Sequence, residues 1–158
     1  MQLFIMRHGE AIMSAPSDAQ RPLSEQGKVE ANLMGKWLHG LGVDVEQVLV
    51  SPFLRAQQTS KCLLKQLDCQ PNIDTLDIIT PSGSAKDVHD YIDGLCLTNQ
   101  YQNLLMVTHM PLVSYLVAEL TFDNQSPIFQ TAAIAEISYD IKLMKGELVR
   151  LISPLDLC

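Results

Sequence analysis

Basic residues and long apolar runs are scarce in this sequence, and each shortage removes a class of function. Lysine and arginine number 11 against 18 aspartates and glutamates, a formal net charge of −7. A nucleic-acid surface needs cations clustered against phosphates; here they are scattered, so no nucleic-acid partner is expected. No stretch approaches the roughly 18 apolar residues of a membrane span. The first apolar run is broken at Arg7 and is too short for a secretory leader. No membrane association is expected, and a cytoplasmic location is. The cysteines, Cys62, Cys69, Cys96 and Cys158, form no CxxC pair and no zinc-type spacing, so they read as free, buried structural thiols.

What is present is material for a core. Hydrophobic residues make up 47% of the 158 and charged ones 18%, which suits a globular chain rather than a disordered one. One domain, residues 1–158, is expected, burying roughly two thirds of its unfolded surface.

Three short apolar runs share one design. Leu3-Phe4-Ile5-Met6 leads into Arg7, His8 and Gly9; Val48-Leu49-Val50 leads into Ser51, Pro52 and Arg55; Leu104-Leu105-Met106-Val107 leads into Thr108 and His109. Continuous rather than alternating apolar residues indicate strands buried on both faces. Ligands of open α/β sheets bind beyond the carboxyl ends of such strands. Three strand ends carrying guanidinium and imidazole groups would together build an anion site.

The intervening segments read as helices. Ser24 is a helix N-cap, followed by Met34, Trp37, Leu38 and Leu41 at helical spacing and a stop at Gly40 and Gly42. Trp37 belongs to the core. Pro52 opens a second helix with Ala56, Ser60, Leu63 and Leu67 inward and Arg55 in its first turn, where backbone N–H groups favour anions. A weaker strand at Ile73 to Leu76 precedes a turn at Thr80 to Ser84. Val88, Tyr91, Ile92 and Leu95 mark a third helix ending near Gly94 to Leu97, and Pro111 opens a fourth through Leu112, Tyr115, Leu116 and Glu119. Ala133, Ala135, Ile137 and Tyr139 alternate as a strand with one polar face, and Gly146 marks the turn of a C-terminal hairpin with Leu148 to Ile152. The order predicts a three-layer α/β/α sandwich with a mainly parallel sheet and an antiparallel edge.

Arg7 and Arg55 are the candidate phosphate ligands, because a guanidinium binds phosphoryl oxygens bidentately and stays charged. His8 and His109 are candidates for a nucleophile and for a donor to the phosphoryl oxygens. A zinc pair is the weaker alternative, since adjacent arginines repel a cation. His39 and His89 are expected at the surface. Asp18 and Arg21, in the proline-flanked loop from Ala11 to Leu23, either reach over the site or form a solvated pair.

Met6-Arg7-His8-Gly9-Glu10 resembles the RHG signature of the histidine phosphatase (phosphoglycerate-mutase-like) superfamily. Ser51-Pro52-Phe53-Leu54-Arg55-Ala56-Gln57-Gln58-Thr59 is similar to its SPxxRAxQT block, and Val107-Thr108-His109 to its third. The Arg21-Pro22-Leu23 loop and Thr108-His109-Met110-Pro111-Leu112-Val113 resemble the SixA-type phosphohistidine phosphatases within it. The resemblance implies a phosphoryl group carried on His8, a phosphate pocket of Arg7, Arg55 and His109 with Arg21 as a further substrate contact, and neither metal nor cofactor. It implies as partner a phosphohistidine-bearing phosphotransfer (HPt-type) domain of a sensor kinase in a two-component signalling phosphorelay, or a phosphocarrier protein.

Larger superfamily members carry a helical insertion and a glutamate acid before the third block. Here Ile78 to Ser84 has no acidic residue, and neither Asp77 nor Asp87 matches that acid; Ala11 and Met110 replace residues common beside the motifs. An alkoxide leaving from an ester needs a proton, whereas an imidazole leaving from phosphohistidine can already carry one on its other nitrogen. A phosphohistidine phosphatase is therefore expected. A small-molecule ester phosphatase or mutase is the first alternative, and a non-catalytic phosphate-binding module the second.

Overall fold

The computed structural model describes residues 1–158 and follows the expected order of elements. Strands β1 (Gln2–Arg7), β2 (Gln47–Val50), β3 (Asn72–Thr75) and β4 (Asn103–Thr108) alternate with helices α1 (Glu25–Gly40), α2 (Leu54–Leu64), α3 (Ala85–Thr98) and α4 (Leu112–Leu120). The hairpin β5 (Ile134–Asp140) and β6 (Lys145–Ile152) follows. They form one six-stranded sheet in the order β3-β2-β4-β1-β5-β6. β1 through β4 are parallel, and β5 joins β1 in the antiparallel sense.

The strands are continuous in apolar residues because alternate side chains enter two separate cores. Leu3, Ile5, Leu104 and Met106 pack with Val88, Ile92, Leu116 and Leu120 of α3 and α4. Phe4, Met6, Leu105 and Val107 pack with Met34, Leu38, Ala56 and Leu63 of α1 and α2. That is the three-layer sandwich. Ser24 caps α1 by accepting the Gly27 N–H at 3.0 Å. β3 is an edge strand whose four residues are all exposed, which accounts for its weak apolar signal.

Several details differ from expectation. Leu41 lies beyond α1 and is 40% exposed, so the buried stripe of α1 runs through Ala31, Met34 and Leu38. Gly94 does not stop α3, which continues to Thr98; the glycine sits on the solvent side, where a missing side chain leaves no hole. Cys96 is buried, but Cys62 and Cys69 are half-buried and Cys158 is exposed, so burial does not account for all four free thiols. Gly146 lies within β6 rather than in its turn, where a Cβ would meet the Ser138 carbonyl of β5. The second face of β5 is not simply polar: Ile134 is buried, and Glu136 is buried against Arg150 at 2.7 Å.

His89 is the clearest correction. It is buried rather than at the surface, with Nδ1 3.0 Å from Glu119 and Nε2 2.8 Å from the Tyr139 hydroxyl and 2.9 Å from the Met144 carbonyl. Asp93, one turn on in α3, lies 3.3 Å from Nε2, but the other partners come from α4 and the hairpin, and helical periodicity carries no trace of those. His39 is half exposed and faces Asp68 at 2.8 Å, as a surface histidine would.

Candidate functional site

Sheet order brings the three strand ends together. β2, β4 and β1 are adjacent, Arg7 is level with Thr108, and the Ser51 N–H bonds to Val107 O at 3.1 Å. The chain leaving β1 stays in register, with the His8 N–H on Thr108 O at 3.0 Å. His8 and His109 therefore emerge side by side, ring centroids 5.1 Å apart.

His8 is held at both ring nitrogens. Nδ1 lies 2.7 Å from the Gly9 carbonyl, an acceptor only, so the ring proton resides there. Nε2 is left with its lone pair and accepts Arg55 Nε–H at 3.2 Å. Burial, with the charges of Arg55, Arg7 and Arg21, pushes the ring from its ordinary 6.5 down to about 4 against the opposing bond to Gly9. His8 is neutral at physiological pH.

Arg55 is buried in the first turn of α2. Its terminal nitrogens donate to the Asp18 carbonyl at 2.6 Å and to the Asp18 carboxylate at 3.1 Å, and its guanidinium lies 5.1 Å from the Phe53 ring centre. Each terminal nitrogen keeps a second N–H. Arg7 donates to Phe129 O at 2.7 Å; its Nε is buried with no protein partner. Desolvation lowers the Arg7 pKa, opposed by the charge of Glu30.

His109 Nε2 sits 2.7 Å from the Ser51 hydroxyl, and its Nδ1 is buried without a protein partner. Burial and then neighbouring His8 and Arg55 push it down to about 3. Ser51 also accepts the Phe53 N–H at 3.2 Å, linking the end of β2 to the start of α2.

Of the two readings of the long loop, Asp18 does reach the cluster, on Arg55. Arg21 stands one step behind, donating to the Asp18 carboxylate at 3.0 Å and to Ile12 O at 3.0 Å. Hydrogen bonds from Arg21, then from Arg55, hold the Asp18 carboxyl below the ordinary carboxylate range. It stays ionised at neutral pH and is no proton donor.

Two supporting residues have roles that the sequence reading did not assign, although Thr59 closes the SPxxRAxQT block. Thr59 accepts the Gly9 N–H at 3.0 Å and donates to Arg55 O at 2.7 Å, tying the turn after β1 to α2. Its place four residues after Arg55, one helical turn on, was the available signal. Glu30 accepts the Glu10 N–H at 2.8 Å and the Thr131 hydroxyl at 3.0 Å; nothing in the sequence marks it. The assembled groups offer an unprotonated imidazole nitrogen ringed by two guanidinium groups and a second neutral imidazole.

Residues 3–76 match the model of the histidine phosphatase superfamily (branch 1). The chain is 45% identical over 141 residues to the phosphohistidine phosphatase SixA of Escherichia coli, covering 89% of this chain and 86% of that one. It is 38% identical over 148 residues to a SixA homolog of Haemophilus influenzae, covering 89% of each. Among solved structures, the protein histidine phosphatase SixA complexed with tungstate superposes with a TM-score of 0.95 at 41% identity, over the whole of both chains.

Proposed function

The chain belongs to the histidine phosphatase superfamily, and from that premise we propose that it is a protein phosphohistidine phosphatase acting on a phosphotransfer domain of a signalling phosphorelay. The observation that carries the reading is the state of His8: proton fixed on Nδ1 by Gly9 O, lone pair on Nε2 facing Arg55. Relatives named for phosphohistidine hydrolysis, and a tungstate complex of a SixA protein, support it; tungstate is a tetrahedral oxyanion of phosphate-like shape.

In the first step Arg55 Nε–H leaves His8 Nε2 for a phosphoryl oxygen, and the freed Nε2 lone pair attacks phosphorus. The substrate's P–N bond breaks, and its electron pair returns to the substrate imidazole. Arg7 and Arg55 take phosphoryl oxygens with their free N–H groups. His109 donates from Nδ1 when its Nε2 accepts the Ser51 hydroxyl proton. Donors already in place cost little reorganisation as charge shifts between the oxygens. In the second step water attacks phospho-His8, the P–N bond breaks back to Nε2, and the water proton leaves with phosphate. Asp18 and Arg21 hold Arg55 in place from the loop side. Neither step requires an acid, which suits a leaving imidazole and not an alkoxide. Four free cysteines support a cytoplasmic location.

Phosphate release separates the readings. With a phosphorylated phosphotransfer domain and with 3-phosphoglycerate as substrates, the protein is expected to release phosphate from the first at least ~10²-fold faster, and His8→Ala from neither. Faster release from the ester contradicts the proposal.

A further inference from the structure

Helix α2 carries the site at its start, and its outer face is unpartnered. A groove of about 650 Å³ runs along that face to the edge strand β3, lined among others by Leu54, Gln57, Lys61, Leu64, Lys65 and Ile73. Leu54 is 38% and Ile73 53% exposed, and Leu64 is half-buried, so the floor is apolar. Leu54 immediately precedes Arg55, whose guanidinium touches His8. The groove therefore starts on the turn of α2 that carries Arg55, on a different face of the helix, and follows α2 for about 16 Å, some three turns.

Its rim is cationic in a protein that is otherwise acidic. Lys61 and Lys65 are exposed, one helical turn apart on the groove's rim, and neither forms an ion pair; Lys36, Lys142 and Lys145 are unpaired too, but none of them lines the groove. Two unpaired ammonium groups beside an apolar floor, in a chain of net charge −7, complement an acidic surface. A three-turn apolar groove suits an amphipathic helix.

We propose that this groove docks the substrate protein through a helix beside its phosphohistidine, apolar where it meets Leu54, Leu64 and Ile73 and acidic where it meets Lys61 and Lys65. The assignment rests on the phosphohistidine phosphatase reading and explains how the site would select protein over free phosphohistidine. Docking by charge acts mainly on association rate and on its salt dependence.

The test compares wild type, Lys61→Glu/Lys65→Glu and a control, Lys86→Glu/Lys142→Glu, on two substrates. One is a phosphorylated phosphotransfer domain with an acidic phosphohistidine helix, the other phosphoramidate. The groove variant is expected to lose about tenfold in kcat/KM on the protein at low salt, with the gap closing as salt rises. It is expected to keep wild-type turnover of phosphoramidate, and the control to match wild type on both. Equal loss on both substrates, or no loss on the protein, overturns the groove while leaving the phosphatase reading intact. Absence of wild-type turnover on both substrates overturns the phosphatase reading and the groove with it. A dimer in sedimentation that the groove variant abolishes would give the face to a second copy of this chain and overturn the assignment.

Discussion

At the residue scale the behaviour of His8 follows from where its protons can go. Gly9 O takes one ring nitrogen, Arg55 Nε–H faces the other, and a second proton would be buried among three arginines. The expected NMR titration has the His8 ring neutral down to about pH 4 and His109 to about pH 3. A His8 midpoint near 6.5 would contradict this account. Linkage gives the sign for stability. Between about pH 6.5 and 4 the unfolded chain binds a proton at this position and the native chain does not. The His8 contribution to stability is therefore complete above that window and lost as pH falls through it. Arg7 is expected to matter for chemistry rather than folding: Arg7→Ala should reduce kcat by roughly 10²–10³-fold, the usual loss for one oxyanion donor. An unchanged kcat with a shifted circular dichroism spectrum would assign Arg7 to structure instead.

At the scale of elements, what could be read in the chain was whatever local periodicity records. The four helices, the double-sided strands and the C-terminal hairpin follow from spacing and caps, and β2, β4 and β1 do converge as their shared endings suggested. Side-chain partnerships across elements left no such record. His89 finds Glu119 and Tyr139 from two other elements, and Asp18 finds Arg55 across the chain. Gly27 is a further example, on the first turn of α1. A Cβ there would run into the Glu10 carbonyl, and one at Gly9 would stand 2.6 Å from Gly27 O. Both glycines let α1 press against the turn that carries His8. Gly27→Ala is expected to cost ~1–3 kcal/mol by overpacking, seen as a fall of ~2–4 °C in Tm per kcal/mol, and to reduce kcat with it. An unaltered Tm would mean that the helix and turn are free to separate.

For the whole molecule, a parallel sheet gathers three strand ends at one edge, and helices on both faces keep those ends dry enough for a neutral histidine to sit among arginines. The carboxylate that reaches Arg55 is held ionised and supplies no proton to a leaving alkoxide; the proposed transfer of a phosphoryl group between nitrogens needs none. The direct measurement is a rapid acid-free quench during turnover of a phosphorylated phosphotransfer domain, followed by peptide mass spectrometry under alkaline conditions. The account predicts a phosphoryl group, acid-labile and alkali-stable, on the peptide carrying His8 and absent from His8→Ala. Phosphate release with no phosphorylated His8 peptide at any time point would contradict it.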